Sequence, residues 1–432
     1  MITRMKQYVK FLFLMTLAAL SFVSCEKPDN SEGQESKVVE RKFIKLTKTQ
    51  SEYVEKNNEV AFTLFKDIME FHKGKGFVFS PLSIEYALTL VANGANGQTL
   101  DEILSFLRFT KEDIRGLNDY YKLLFTELPA LDKSIQFSLA NAIVVNSDRF
   151  SLNDVYVQNM SNYYDALIKS FPLMHEGECE KAFLFINKWA AEETNGLIKN
   201  FLDREVTEQD LAYILNALYF KGNWSTNVSF KTKDTKTGTF TKNDGVKVKV
   251  PFMHQRSKIS GMVTQEYKTI WLPYGSGAFT MQIILPENGI SVEGLVPSLL
   301  RDEKGIFVMD FDVNLSLPKF STDIIRTDLG SNILPKYIPT SFNPYLADFK
   351  GIGHGIESDE FCIGECYQKA KIEVNEKGTE MAAVTAIGYF VTSPGVIKKP
   401  EILEFNADHP FIYIIREEST KAIISMGVYN GE

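Results

Sequence analysis

Apolar residues recur at helical spacing early in the chain. Val60, Leu64, Ile68 and Phe71 are four, four and three positions apart, one face of an α-helix, and such a stripe is read first as core. A second helix is predicted to start at Ser80-Pro81, where proline at the first helical position sacrifices no useful amide hydrogen. It is predicted to stop at the glycines of Asn93-Gly94-Ala95-Asn96-Gly97. Tyr156, Met160, Tyr163, Tyr164 and Leu167 again share a helical face, expected to lie on a sheet. From Leu211 onward the signal changes. Residues 213–220, 247–253, 278–285 and 314–317 are rich in β-branched and aromatic side chains and are bounded by turns. Helices first and strands later predict an α+β fold rather than alternating βαβ units.

The amino terminus has a different pattern. Arg4, Lys6 and Lys10 precede an apolar run from Phe11 to Leu20, shorter than the about 20 residues of a permanent span, and polar sequence follows at once. Residues 1–24 therefore read as an export signal. Cys25 directly after Ser24 resembles the acylated cysteine of bacterial lipoproteins, which makes 25–45 a flexible tether and 46–432 one domain. The expected location is the bacterial cell envelope or surface, with a lipid anchor through Cys25, or the extracellular medium. Composition agrees with one large folded body: 44% hydrophobic, 24% charged, no repeat and no internal linker. The net charge of −8 argues against a nucleic-acid partner, and four cysteines are too few for a disulfide scaffold.

The search for catalytic chemistry returns little. None of His72, His175, His254, His354 and His409 sits in a zinc pattern, and His175 with Cys179 lacks further ligands, so no metal is expected. Gly351, Gly353 and Gly355 form a GxGxG run without a surrounding strand-to-helix unit and read as a turn. No nucleophile elbow, phosphate loop or CxxC pair occurs, and no cofactor is called for. The segment that stands out is 372–400. It begins as a strand, passes through small and β-branched residues, and then sets Tyr389, Phe390, Val391, Val396 and Ile397 among turn formers, where solvent is expected. A loop displaying apolar side chains is built to be bound.

Glu376-Lys377-Gly378-Thr379-Glu380 followed by Met381-Ala382-Ala383-Val384-Thr385 resembles the hinge of the serpin family, and Phe405 to Phe411 resembles the signature after that family's reactive loop. Four upstream stretches fit family motifs in the same order: Phe79 to Ile84, Ile186 to Gly196, Asn216 to Trp224 and Leu315 to Phe320. The resemblance implies a serpin fold, about eight or nine helices around three β-sheets, with a reactive-centre loop at about 376–404. It also implies a metastable monomer that is no enzyme but an irreversible suicide inhibitor of serine or cysteine proteases. The protease is held as a covalent acyl-enzyme while the cut loop enters the main sheet as a new strand. Alternation along that strand would send Thr379, Met381, Ala383, Thr385 and Ile387 to one face and Glu380, Ala382, Val384 and Ala386 to the other. Met381 departs from the alanine the family prefers.

The resemblance also implies that Ser80, Ser83, Asn216, Gln368 and Trp224 belong to the region where the sheet opens, with Gln368 standing where histidine is common. Counting from Glu376 puts the scissile bond at Thr392-Ser393, suited to an elastase-like protease, although the return to Phe405 is longer than the family pattern. Tyr389 or Phe390 would suit a chymotrypsin-like target and Lys398 a trypsin-like one. Two alternatives stand beside this reading: a non-inhibitory binding protein on the same fold, and a lipoprotein hydrolase with a triad scattered along the chain.

Overall fold

Thr47 accepts a hydrogen bond from the Gln50 amide while the Gln50 side chain returns to the Thr47 amide, a capping box that starts α1 (Lys48–His72). Its inner face carries Val60, Leu64 and Ile68, all buried as the spacing predicts. After β1 (Phe77–Phe79) comes α2 (Pro81–Ala92), capped by Ser80, whose hydroxyl accepts from the Ser83 amide. α3 (Gly97–Phe106), α4 (Ile114–Glu127), β2 (Gln136–Asn146), β3 (Phe150–Leu152), α5 (Asp154–Tyr164), β4 (Leu167–Phe171), α6 (Glu178–Glu193) and β5 (Ala212–Lys221) follow. The rest is mostly strand: β6 (Lys236–Thr241), β7 (Lys247–Val263), β8 (Tyr267–Tyr274), β9 (Phe279–Pro286), α7 (Val292–Asp302), β10 (Met309–Pro318), β11 (Phe320–Ser321) and β12 (Ile325–Asp328). The last elements are α8 (Leu329–Asn332), β13 (Gly353–Gly355), β14 (Tyr367–Ala370), β15 (Glu373–Val374), β16 (Ile402–Asn406), β17 (Phe411–Glu417) and β18 (Ile423–Tyr429). The computed structural model describes residues 41–302, 308–322, 325–356, 360–378 and 402–432.

The strands assemble as an α+β fold in which one sheet is continuous and another is split. β1-β18-β17-β9-β8-β7-β10-β16, with β6 on the edge of β7, form a single nine-stranded sheet. β7 is 17 residues long and pairs with β6 and β10 along one part and β8 along the other, so it carries two of the expected sheets as one. The other sheet lies in two halves: β4-β2-β5 on one side, and the pairs β12-β14 and β11-β15 on the other. Among the described residues no ladder joins β5 to β14.

Three expectations need adjustment. Leu167 is not on α5: Asp165 adopts a left-handed conformation (φ 45°), ending the helix, and Leu167 opens β4 with its side chain exposed. Gly353 and Gly355 belong to a short strand on β3 rather than a turn. Gly351 abuts the backbone of Gly94, where a Cβ would lie 2.7 Å from the Gly94 carbonyl oxygen. Ile44, within the stretch read as tether, is buried and its amide donates to Ser419.

The core under α1, α2 and α4 encloses a carboxyl group in apolar surroundings. Glu85 on α2 is fully enclosed near Tyr120 and Tyr121, one of its oxygens has no hydrogen-bond partner, and burial pushes its pKa well above the ordinary 4.5. The folded chain therefore holds a proton that the unfolded chain releases. Stability from this site is full below pH 4.5 and declines as pH rises toward the raised folded value. Glu85→Gln is expected to flatten that dependence, so that Tm of the wild type drops more between pH 5 and pH 8 than Tm of the variant. Parallel slopes in thermal denaturation would show Glu85 to be ionised in the fold.

Candidate functional site

The cleft between β5 and β14 is a cavity of about 730 Å³. On β5, Leu215 and Ala217 pack under α6, so the alternate residues Ile214, Asn216, Leu218 and Phe220 face the cleft's core side. Gln368, Ala370 and Ile372 line the opposite wall.

At one end the cleft is pinned shut. β5 runs out at Lys221, and Trp224 then lies buried on Tyr274, with ring centroids 4.6 Å apart and planes nearly parallel. Its indole nitrogen donates to the Asn375 carbonyl at 2.9 Å and its amide to the Lys377 carbonyl at 3.2 Å. Asn375 and Gly378 exchange backbone hydrogen bonds, closing a tight turn, and Gly378 forms an antiparallel bridge to Asn223. Only glycine fits here. Gly378 has φ +104°, and a Cβ would meet the Trp224 amide nitrogen at 2.4 Å. Glu376 accepts from the Thr235 hydroxyl at 2.8 Å and pairs with Lys319 at 3.1 Å. Burial alone would raise its pKa, but hydrogen bonds from its own amide, Thr235 and Lys319 outweigh that and hold the carboxylate below its ordinary range.

Midway along, a chain of hydrogen bonds crosses beneath the cleft. The Ser80 amide donates to Gln368 Oε1 at 2.8 Å, and Gln368 Nε2 donates to the Ser80 carbonyl at 3.0 Å. Ser80 Oγ donates to the Ile424 carbonyl, and the Ser83 hydroxyl donates to Asn216 Oδ1. Asn216 Nδ2 continues to Asn141 Oδ1 at 2.7 Å, and Asn141 Nδ2 to the Tyr164 carbonyl at 2.9 Å. Gln368 thus fills both hydrogen-bond roles against one backbone unit without a titrating group. Gln368→Ala is expected to leave the Ser80 amide unpaired, the carbonyl keeping its bond from the Ile84 amide, and to lower stability by about 1–3 kcal/mol. Gln368→His should restore a partner at pH 8 and lose the acceptor on protonation, so its Tm alone should fall between pH 8 and pH 5. Equal acid sensitivity in wild type and Gln368→His would place the histidine outside the network.

At the far end, the segment between α6 and β5 lies across the cleft. Arg204 grips Asp210 with two hydrogen bonds at 2.7 and 2.8 Å and reaches Glu365 on the β14 side at 3.0 Å. Asp210 also accepts from the Thr207 amide and the Tyr213 hydroxyl. Burial would raise its pKa, but Arg204, Thr207 and Tyr213 together hold it below the ordinary 3.8. Lys369 on β14 donates to the Asn200 carbonyl and pairs with Asp203, while the Tyr367 hydroxyl donates to the Phe201 carbonyl and the two rings stack.

Of the residues singled out by sequence, Ser80, Ser83, Asn216 and Gln368 are brought together. Trp224 is not with them; it stands at the pinned end with Glu376 and Gly378. Thr379, Glu380, Met381, Ala382, Ala383, Thr385, the Thr392-Ser393 bond and Cys25 lie outside the described residues. Sequence reasoning missed Thr235, Lys319, Asn375 and the Arg204-Asp210-Glu365 group. Lys319 lay inside the Leu315 to Phe320 match and was open to notice. His175 and Cys179 have separate partners, Asp148 at 4.0 Å and the Leu173 carbonyl.

The family model for Serpin (serine protease inhibitor) matches residues 55–431. An uncharacterised serpin-like protein of Thermococcus kodakarensis is 31% identical over 382 residues, covering 86% of this chain and 83% of that protein. The leukocyte elastase inhibitor of Xenopus laevis is 29% identical over 383 residues, covering 85% of this chain and 96% of the relative. Among solved structures, the native stressed conformation of a serpin from Arabidopsis superposes with a TM-score of 0.75 at 27% identity, covering 89% of this chain and 98% of that one.

Proposed function

The chain belongs to the serpin family, whose members are in general protease inhibitors rather than catalysts, and we propose that it is a single-use inhibitor that traps a serine protease. One observation carries the proposal: the loop's amino-terminal anchor, Glu376 to Gly378, is fixed at one end of a cleft whose two walls, β5 and β14, each turn toward it an edge that is unpaired among the described residues. Unpaired edges on both sides of a gap are a template for a strand of the same chain.

The register of that strand follows from the Asn223-Gly378 bridge. Extended residue by residue, it sets Met381 opposite Phe220, Ala383 opposite Leu218 and Thr385 opposite Asn216. Tyr389 reaches Ala212, where β5 begins, and Val391 meets Asp210. Insertion up to Thr392 therefore uses the full length of β5, whereas a cut after Lys398 would carry the strand well beyond it. This supports the Thr392-Ser393 bond and an elastase-like target. The proposal extends to export and to a lipid anchor at Cys25.

The test is incubation of the mature domain with elastase-, chymotrypsin- and trypsin-like proteases, followed by denaturing gels and mass measurement of the released fragment. A covalent band of summed mass, with a fragment starting at Ser393, is the expected result. Complete cleavage without such a band would instead identify a non-inhibitory member of the fold.

A further inference from the structure

Between Lys231 and Pro251 the chain carries six lysines and two aspartates, although the whole chain is at −8. The lysines are Lys231, Lys233, Lys236, Lys242, Lys247 and Lys249, and all but the half-buried Lys242 are exposed. This stretch is the β6-β7 hairpin with its lead-in turn. Thr239 pairs with Lys249 and Thr241 with Lys247 across the ladder, while Phe240, Val250 and Phe252 point into the core. Lys249 donates to the Thr239 hydroxyl at 2.8 Å, and none of the six is in an ion pair among the described residues.

The hairpin's position gives the charge a use. Its lead-in touches one foot of the loop, where the Thr235 hydroxyl donates to Glu376, and its far end touches the other, where the Thr241 amide donates to the Asp408 carbonyl at 2.8 Å. Both feet have their own charge partners: Glu376 is paired with Lys319, and Asp408 with His409. The cationic face is therefore available to whatever is held on the loop between them.

We propose that this hairpin is a docking surface for the protease itself, selecting enzymes whose surface beside the active-site cleft is acidic. The inference rests on the inhibitory reading of the loop. Uncompensated lysines beside the point of attack steer an oppositely charged partner and raise its association rate, an effect that salt screens. The hairpin acts before cleavage, so it changes how fast the protease arrives and leaves the later partition between trapping and release untouched.

The probe is one protease that cuts the loop, used native and with its surface lysines succinylated. The two forms share the active-site serine and specificity pocket and differ in surface charge. The succinylated form is expected to be consumed about tenfold faster at low ionic strength, with the advantage fading as salt is raised. The triple variant Lys233→Gln/Lys247→Gln/Lys249→Gln is expected to remove most of that difference with an unchanged ratio of covalent band to cleaved band. Equal rates for the two protease forms, or the same salt slope in wild type and triple variant, would overturn the proposal. If every protease merely cleaves the chain, the inhibitory reading fails, yet the rates of loop cleavage by the two forms still decide whether the hairpin docks them.

Discussion

Thr385→Arg is expected to turn the chain from an inhibitor into a substrate, with covalent complex falling about tenfold or more relative to cleaved chain. The register extended from the Asn223-Gly378 bridge puts Thr385 opposite Asn216, whose side chain points to the Ser83 hydroxyl on the core side of the cleft. Threonine can join that hydrogen-bonded row; arginine would bring a charge into it without a carboxylate among the partners. Each 1.4 kcal/mol or so added to the barrier slows insertion about tenfold while hydrolysis of the acyl-enzyme keeps its own rate. Thr385→Ser should retain trapping. The stoichiometry of inhibition, titrated against active protease, reads both variants, and Tm of the uncleaved protein should barely move. A Thr385→Arg chain that still titrates near one to one would mean that the register, or the insertion itself, is wrong. Met381→Ala is the converse case, because the methionine would lie against Phe220, already packed between Tyr274 and Phe279.

The fold was legible wherever one element satisfied its own pattern. α1 announces itself because Val60, Leu64 and Ile68 answer to a single core, and α2 because Ser80 and Pro81 make its first turn locally. Leu167 misled for the same reason: it kept the helical spacing, but the left-handed Asp165 that ends α5 is a backbone choice that the hydrophobic pattern does not encode. The mid-cleft network was reachable from motifs, since Ser80, Asn216 and Gln368 each sit in or near a recognisable stretch. The far-end network was not. Arg204 and Glu365 are 161 residues apart in sequence and Lys369 and Asn200 are 169 apart, in segments whose local patterns are those of ordinary polar loops. Only the topology that lays the segment before β5 across the cleft makes neighbours of them.

That far-end network links the two halves of the sheet where a strand inserted on the proposed register would finish, and Asp210→Ala should expose its strength. Asp210 gathers Arg204, Thr207 and Tyr213 onto one carboxylate that is 16% exposed, and its loss leaves three donors to find water. About 2 kcal/mol or more of native stability should go, a fall of several degrees in Tm. The pH dependence has a defined sign. A carboxyl whose folded pKa is lowered contributes fully above its ordinary 3.8, and the contribution disappears as pH falls through the lowered value. Acid should therefore narrow the gap between wild type and Asp210→Ala. Trapping should not suffer in step with stability, because on the proposed register the last residues to insert, Tyr389 to Thr392, would pass along the space this network bridges, and opening it in advance would remove a step from their path. The expected signature is a less stable native protein whose covalent complex forms at an equal or higher rate and whose intact chain loses activity faster on warm incubation. A variant that is both destabilised and slower to trap would make the network a support for the open cleft rather than a clasp across it.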